Sequence, residues 1–261
     1  MWLRVSGLLL RYLYPYRHNP IRTGEVFFWP IMNLILWGFV TSYLERLVLS
    51  EAVVFLLGGL IFWDVLYRSQ LAITFSLAEE IWLKNLLNIF LAPISMTELL
   101  LATCLLGVLR ALLNIVVLGI LAYILYAFNL FSMGLALVPF LANLLLFGWA
   151  LGMSAMALLV RFGLAAEALA WAVPYLIQPV SAVFYPVDVF PTWLQTIAHL
   201  VPSTHIFEGM RAALRTGTVD ASTLLTALAL NLVYLVIGAA FFGWMLQQAR
   251  DKGYLSHTGM Q

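Results

Sequence analysis

The sequence predicts an all-α polytopic membrane protein. Six transmembrane helices are expected, with an interfacial helix ahead of the first, a cytoplasmic helix between the second and third, and short outer helices dipping back into the interface before the last. Three observations predict this. Of 261 residues, 64% are hydrophobic and 10% charged, against about 25% charged in a typical soluble domain. Apolar runs recur at the length of about 20 residues that a helix rising 1.5 Å per residue needs to cross bilayer hydrocarbon. The breaks between runs gather the charges and prolines. Six crossings use nearly the whole chain, so residues 1–261 are read as one transmembrane domain.

The N-terminal stretch is expected to be retained rather than cleaved, because Arg4 interrupts its short apolar run and no small-residue cleavage site precedes Arg11 and Arg17. Arg4 and Arg11 lie seven apart, on one helical face, with Trp2, Leu3, Leu9, Leu10 and Leu13 elsewhere around the turn. That pattern suits a helix lying on the cytoplasmic membrane surface. The spans follow near 24–43, 52–72, 99–126, 133–160, 168–186 and 221–246. The third and fourth exceed one bilayer, which tilt or extension past the headgroups accommodates.

Lys and Arg are retained on the cytoplasmic side more readily than they are translocated. With both termini inside, Arg4, Arg11, Arg17, Arg22, Arg68, Lys84, Arg161, Arg250 and Lys252 are cytoplasmic. Only Arg46, Arg211 and Arg215 are then outside, with Arg110 within the membrane. This asymmetry sets the expected topology and a cell-membrane location, with the bacterial inner membrane as the expected one.

Two connections are too long for simple turns. The cytoplasmic one, 76–98, is helix-compatible, carries Glu79, Glu80 and Lys84, and has Pro93 as a stop. Its position suits docking to a soluble partner. The outer one, 185–220, mixes Pro186, Pro191 and Pro202 with amphipathic pieces around 193–200 and 206–214. Two short helices half-sunk in the outer interface are expected there. No internal repeat appears, so an inverted-repeat carrier gains no support.

Several functions lack their residues. A net charge of +1 does not supply the basic face that nucleic acid needs. Cys104 is the only cysteine, which rules out an intrachain disulfide and a cysteine-cluster metal site. His18, His199, His205 and His257 are scattered, and no metal site is expected from them. A phosphate-cradling loop needs GxxxxGK[ST], whereas the two lysines, Lys84 and Lys252, are followed by Asn85 and Gly253. If ATP drives this protein, a separate chain hydrolyses it.

Within the membrane, Asp64 and Arg68 lie four apart, acid first, the order that best supports an ion pair along a helix. Asp64 and Arg110 fall at similar expected depths on neighbouring spans, so structural pairing between them is favoured over substrate contact. Gly152-Met153-Ser154 is similar to the GxS nucleophile of rhomboid intramembrane proteases. The sixth span supplies no histidine base, however. Gly148 and Gly152 form a small-xxx-small pattern that lets helices approach closely, and packing is the favoured reading. Asn33, Asn114, Asn143, Ser154, Gln178, Ser181 and Asn231 are expected to hydrogen-bond between helices. So sparse a polar path suits an amphipathic, lipid-linked or drug-like cargo.

The cytoplasmic stretch EEIWLKNLLNIFLAPISMTE (79–98), the outer stretch YPVDVFPTWLQTIAHLVPSTHIFEGMR (185–211) and the layout around them resemble ABC-2 type transport permeases, over nearly the full chain. The resemblance implies an exporter subunit whose loop after span two forms a coupling helix in a groove of a cytoplasmic ABC ATPase. Glu79, Glu80, Lys84, Asn85 and Asn88 would carry that contact. It implies a second permease copy, most simply a homodimer in membrane lipid, with spans one, two and five lining the pathway. ATP and magnesium would sit on the partner, with no cofactor or catalytic residue in this chain. In the outer segment Pro186, Trp193, Pro202, His205, Glu208 and Arg211 are the residues of interest. Phe27, Phe28, Trp29 and Trp37 could guide cargo or simply pack. Two alternatives from other classes stay open: a stand-alone ion-coupled carrier using Asp64, and a serine protease using Ser154.

Overall fold

The computed structural model describes residues 1–46, 54–83, 85, 88 and 91–252. Lys84 and His257 lie outside the described residues. Those described form helices and connecting turns, with no strand among them. In hydrocarbon no water satisfies a free backbone N–H or C=O, and a helix meets that demand within its own segment.

Helix α1 (Trp2–His18) buries Val5, Leu8 and Tyr12, spaced three and four apart on one face. Asn19 ends it and starts α2 (Pro20–Arg46), its Oδ1 accepting from the Ile21 and Arg22 amides at 3.1 and 3.2 Å. Pro20 occupies the first helical position, where the missing N–H costs nothing. A π-helical turn, Val54–Gly58, leads into α3 (Gly59–Trp82). The long α4 (Met96–Tyr126), α5 (Leu137–Phe162) and α9 (Ala221–Asp251) are separated by shorter pieces. These are a 3₁₀ stretch at Leu130–Ala136, α6 (Glu167–Ile177), α7 (Thr192–His199) and α8 (Pro202–Thr216).

Four of these segments are long and apolar enough to cross a bilayer: Pro20–Arg46, Met96–Tyr126, Leu130–Phe162 and Ala221–Asp251. The expected span at 52–72 is absent from this set because polar and charged residues of α3, among them Asp64, Arg68, Ser69, Gln70, Glu79 and Glu80, lower its apolarity. It also runs on to Trp82, so 76–82 is its last two turns rather than part of a separate segment. Nothing in 60–82 breaks a helix, since the stretch has neither Pro nor Gly. The expected span at 168–186 is helical only to Val180, through α6 and the 3₁₀ turn Gln178–Val180.

The bundle is layered through α3 and α5. Helix α3 packs between α4 and α5, and α5 packs on its other side against α9. One hydrophobic core, at the α8 end, joins Leu57, Phe62, Phe140, Phe147, Ile206 and Phe207. A second, at the α1 end, joins Leu8, Ile73, Leu77, Met156, Leu159 and Leu246. Between them α3 and α5 approach so closely that a Cβ on Gly148 would meet the Leu66 carbonyl oxygen and Ser69 Cβ, each at 2.7 Å. A Cβ on Gly152 would lie 2.9 Å from Ile73 Cβ and 3.0 Å from the Gln70 oxygen. The Ser154 hydroxyl donates to the Ala150 carbonyl of its own helix at 3.0 Å. The small-residue pattern therefore acts in packing. Ser69 Oγ donates across the same seam to the Leu145 carbonyl at 3.1 Å.

Polar residues divide between two uses. Asn231 Nδ2 on α9 donates to the Asn143 side-chain and main-chain oxygens on α5 at 2.9 and 3.0 Å. Ser203 Oγ donates to Ser181 Oγ at 2.8 Å. Asn114, by contrast, donates within its own helix to the Arg110 carbonyl.

Two outcomes follow from this packing. Gly148→Ala and Gly152→Ala each lower stability by about 1–3 kcal/mol through overpacking, read as an earlier thermal transition in detergent. Gly243→Ala, with nothing within 4 Å of the added carbon, leaves it unchanged or raises it. Equal melting of all three variants contradicts the close-packed seam. The second outcome concerns Asp220, which caps α9 by accepting from Thr223 Oγ1, Ser222 Oγ and the Ser222 amide. Those hydrogen bonds hold its carboxyl at about 2, below the ordinary 3.8. A depressed carboxyl stabilises the fold fully above its unfolded value and loses that stabilisation as pH falls through the folded one. The melting difference between the protein and Asp220→Ala should hold above pH 4 and shrink towards pH 2; a constant difference refutes the assignment.

Candidate functional site

Charged side chains at the α1 end are placed by ion pairs between distant parts of the chain. Arg11 Nη2 on α1 donates to Glu80 Oε2 on α3 at 2.7 Å, and Arg22 at the start of α2 pairs with Glu79. Arg4 lies 3.7 Å from Glu98, which itself closes a capping box at the start of α4. In that box the Glu98 amide donates to Ser95 Oγ at 3.2 Å, and the Ser95 amide donates to Glu98 Oε2 at 2.8 Å. Glu80 is 2% exposed and also accepts from Asn85 Nδ2 at 2.8 Å. Burial, with the Glu80 carboxylate beside it, pushes the neighbouring Tyr12 phenol well above its ordinary value.

The five residues expected to meet a partner therefore separate. Glu79 and Glu80 hold α1 and α2 against α3, while Asn88 is exposed and Asn85 is half-buried. Asn88 Nδ2 donates to Asn85 Oδ1 at 2.8 Å. The same connection carries Leu83 and Leu91, exposed by 72% and 82%. Sequence reasoning missed both. Their signal is a large apolar side chain flanking Asn-rich, Pro-terminated sequence, which an all-apolar protein hides.

Above these pairs opens a cavity of about 1020 Å³ between α1, α2, α3, α4 and α6. Helix α2 contributes Arg22, Glu25 and Trp29, and α3 contributes Trp63, Asp64, Tyr67, Arg68 and Phe75. Tyr16 from α1, Arg110 from α4, and Trp171 and Tyr175 from α6 complete the wall that matters here. Ring contacts tie α3 to α6: Phe75 to Trp171 at 4.4 Å between centroids, and Tyr67 to Tyr175 at 5.5 Å. An arrangement of aromatic walls with a few charged groups suits an amphipathic ligand.

Asp64 Oδ1 accepts from Arg68 Nε at 3.2 Å along one face of α3, as their spacing predicts. Arg110 shares the cavity with Asp64 but turns elsewhere: it donates to the Tyr16 hydroxyl, and its guanidinium lies 5.0 Å from the centre of that ring. No ion pair joins Asp64 to Arg110 among the described residues. Of the aromatic cluster on α2, Trp29 faces the cavity, Phe28 packs edge-on against Trp29, and Trp37 stacks on Phe184 at 4.9 Å.

At the opposite end, Arg211 on α8 is 2% exposed. It donates to the Ala182 and Val183 carbonyls at 2.7 and 3.3 Å and pairs with Glu208 at 2.9 Å. Glu208 Oε1 accepts from the Val187 amide at 2.8 Å. Together they fix the turn after α6, where Ala182 takes a left-handed φ of 53°. Pro186 starts the next 3₁₀ turn and Pro202 begins α8. Trp193 is exposed, and His205 Nε2 lies 2.8 Å from the His199 carbonyl oxygen.

If the Arg11–Glu80 contact secures α1, Glu80→Arg should lower the thermal transition and Arg11→Glu/Glu80→Arg should recover most of the loss. Each single reversal leaves two like charges facing one another, worth about 1–3 kcal/mol at a partly buried site. A double variant no more stable than the single one removes the contact from the account.

No curated protein matches the chain closely. The sequence model of the ABC-2 type transporter family matches residues 18–214, from the end of α1 to the last turns of α8. That match takes in the cavity wall apart from Tyr16, the connection between α3 and α4, and the Arg211 turn. The chain is a multi-pass membrane protein belonging to the ABC-2 type transporter family.

Proposed function

We propose that this chain is the permease subunit of an ATP-driven exporter, in which the 83–95 connection receives force from a cytoplasmic ATPase and the cavity holds the cargo. The cavity is the observation that carries this reading. It combines aromatic walls with interior charge and is bounded by α2, α3 and α6, the segments expected to line the pathway. One continuous helix leads from its wall to the start of the 83–95 connection, since α3 runs from the cavity residues Trp63 and Asp64 to Trp82. A push on that connection therefore moves the cavity wall as a rigid rod. The chain carries no phosphate-binding loop of its own, so ATP and magnesium belong to the partner.

In this reading α3 and α6 complete six crossings, α1 lies in the cytoplasmic interface, and α7 and α8 sit in the outer one. Two permeases, most simply identical, face each other across the pathway. ATP closure of the ATPase dimer shifts them between inward-open and closed or outward-open states. The cargo is amphipathic, lipid-linked or drug-like. Contact with the ATPase falls to Asn85, Asn88 and Lys84 together with exposed Leu83 and Leu91, whereas Glu79 and Glu80 transmit the motion to α1 and α2.

A second reading, a stand-alone ion-coupled carrier, is favoured by one observation: Asp64 Oδ2 is buried and has no hydrogen-bond partner among the described residues. Reconstitution separates the two. Proteoliposomes holding this chain and a candidate ABC ATPase should move cargo only with ATP. Leu91→Asp and Asn88→Arg should reduce stimulated hydrolysis at least about tenfold, the loss of roughly 1.4 kcal/mol of interface energy, with folding and insertion unchanged. Uphill transport by this chain alone on a proton or sodium gradient refutes the exporter.

A further inference from the structure

The cavity is lined by three arginines and three carboxylates, Glu25, Asp64 and Glu79, but they do not pair one to one among the described residues. Three arginines face it, and two of them meet a carboxylate of this chain: Arg22 with Glu79, and Arg68 with Asp64. Arg110 meets none within ion-pair distance among the described residues. Its contacts there are the hydroxyl and ring face of Tyr16. The same ring also carries Arg22, whose guanidinium lies 5.2 Å from its centre. Two cations thus flank one phenol, with a single carboxylate, Glu79, to offset them. A partly buried guanidinium left in this state is unfavourable unless a counter-charge completes it.

The Tyr16 hydroxyl sharpens the chemistry. Its oxygen accepts from Arg110, so its own proton remains to donate. Arg110 and Tyr16, in contact on the cavity wall, therefore keep neighbouring hydrogen-bond donors for a ligand, a pairing that suits an oxyanion. A cationic ligand fits less well. Asp64 is already neutralised by Arg68, and Glu25 is exposed, where water competes for it. Beside the donors stand Trp29, Trp171 and Tyr175, each more than 40% exposed. They offer apolar area for a tail.

We propose that Arg110 and Tyr16 form an oxyanion subsite within the cavity, so that the ligand it takes is an anionic amphiphile. The oxyanion headgroup, phosphate or carboxylate, docks between the guanidinium and the phenol while its hydrocarbon lies along the aromatic wall. This deepens the exporter reading and rests on it for the claim that the ligand is cargo; the binding itself is independent of any ATPase.

The test uses the full chain in phosphatidylcholine nanodiscs and 12-bromododecyl phosphate, whose bromine quenches nearby tryptophan. Trp29, Trp63 and Trp171 line the cavity. Saturable quenching is expected, with affinity falling about tenfold or more in Arg110→Gln, less in Arg110→Lys, and about threefold to tenfold in Tyr16→Phe, which keeps the ring beneath both guanidinium groups. 12-Bromododecanoate should compete, because it shares the oxyanion. 12-Bromododecanol should respond to neither Arg110 nor Tyr16, and inorganic phosphate alone should compete only weakly. Unchanged affinity in Arg110→Gln or in Tyr16→Phe overturns the subsite. Tighter binding of 12-bromododecyltrimethylammonium overturns its sign, and inorganic phosphate competing as well as the dodecyl ester overturns the amphiphile. Should Arg110→Gln fail to enter nanodiscs as a folded protein, Tyr16→Phe decides. ATP-dependent transport with no Arg110-dependent binding removes this inference and leaves the exporter; Arg110-dependent binding with no ATP-dependent transport does the reverse.

Discussion

An ionised side chain taken out of water must find a partner, and in a chain so poor in charge this demand sets where the helices meet. Desolvating one ion in a low-dielectric setting costs several kcal/mol even after relaxation. Three carboxylates of α3 and α4 answer it with arginines far away in sequence. Glu80 takes Arg11, 69 positions before it, and Glu79 takes Arg22, 57 positions before it. Glu98 combines its own helix cap with Arg4. These contacts decide which face of α1 turns inward, and Val5, Leu8 and Tyr12 then fill the space beneath it. Apolar packing alone leaves that rotation loosely set, because in lipid an outward-facing leucine is as well solvated as a buried one.

The same reasoning explains the two ends of the bundle. At the α8 end the structure leaves regular helix between Val180 and Val187, and that irregular backbone needs donors it cannot supply itself. Arg211 and Glu208 provide them together: the guanidinium covers two carbonyls and the carboxylate takes one amide. A single turn of α8 thereby replaces the water that a soluble loop would use. At the centre, by contrast, the α3–α5 seam needs no charge. Gly148 and Gly152 bring the backbones together, and dispersion contacts between Leu66, Ser69, Ile73 and their neighbours hold the seam.

Which parts of this were legible in the sequence follows from the range of the interactions. Helix existence was legible because it rests on runs of local apolarity, and the Asp64–Arg68 pair because it spans four residues of one helix. The α3–α5 approach was legible at Gly148 and Gly152 because small residues four apart have few other uses. The Ser95–Glu98 capping box was equally local, a Ser followed three residues later by Glu, yet Pro93 drew attention as the boundary instead. The partners of Glu79 and Glu80 were not legible. Their charge suggested an exposed docking surface, and only the fold brings Arg11 and Arg22 across. Arg110 shows the same limit. Helical rise put it at the depth of Asp64, but rotation about the α4 axis, which depth does not fix, turned it to Tyr16. The extent of α3 was underestimated because charged Glu79 and Glu80 resemble a membrane boundary when their arginines are unseen.

The placement of charged groups divides the bundle along its length. Asp64, Arg68 and Arg110 lie in the middle of long helices, while Glu79, Glu80 and Glu98 lie at their α1 ends, and α3 carries members of both sets. Rotating α3 by a small angle would disturb its ion pairs to α1 and α2 and its contact with the cavity at once, because a helix transmits rotation along its length. Packed interfaces have discrete arrangements rather than a continuum, and the close seam at Gly148 and Gly152 leaves α3 little freedom to slide against α5. Packing against α4 and α5 thus holds α3 on two sides, and its contacts towards α1, α2 and α6 are the ion pairs and aromatic contacts, the ones that can exchange. That is the side on which the cavity opens, so in the exporter reading proposed above a force reaching the 83–95 connection would change the cavity wall rather than loosen the core.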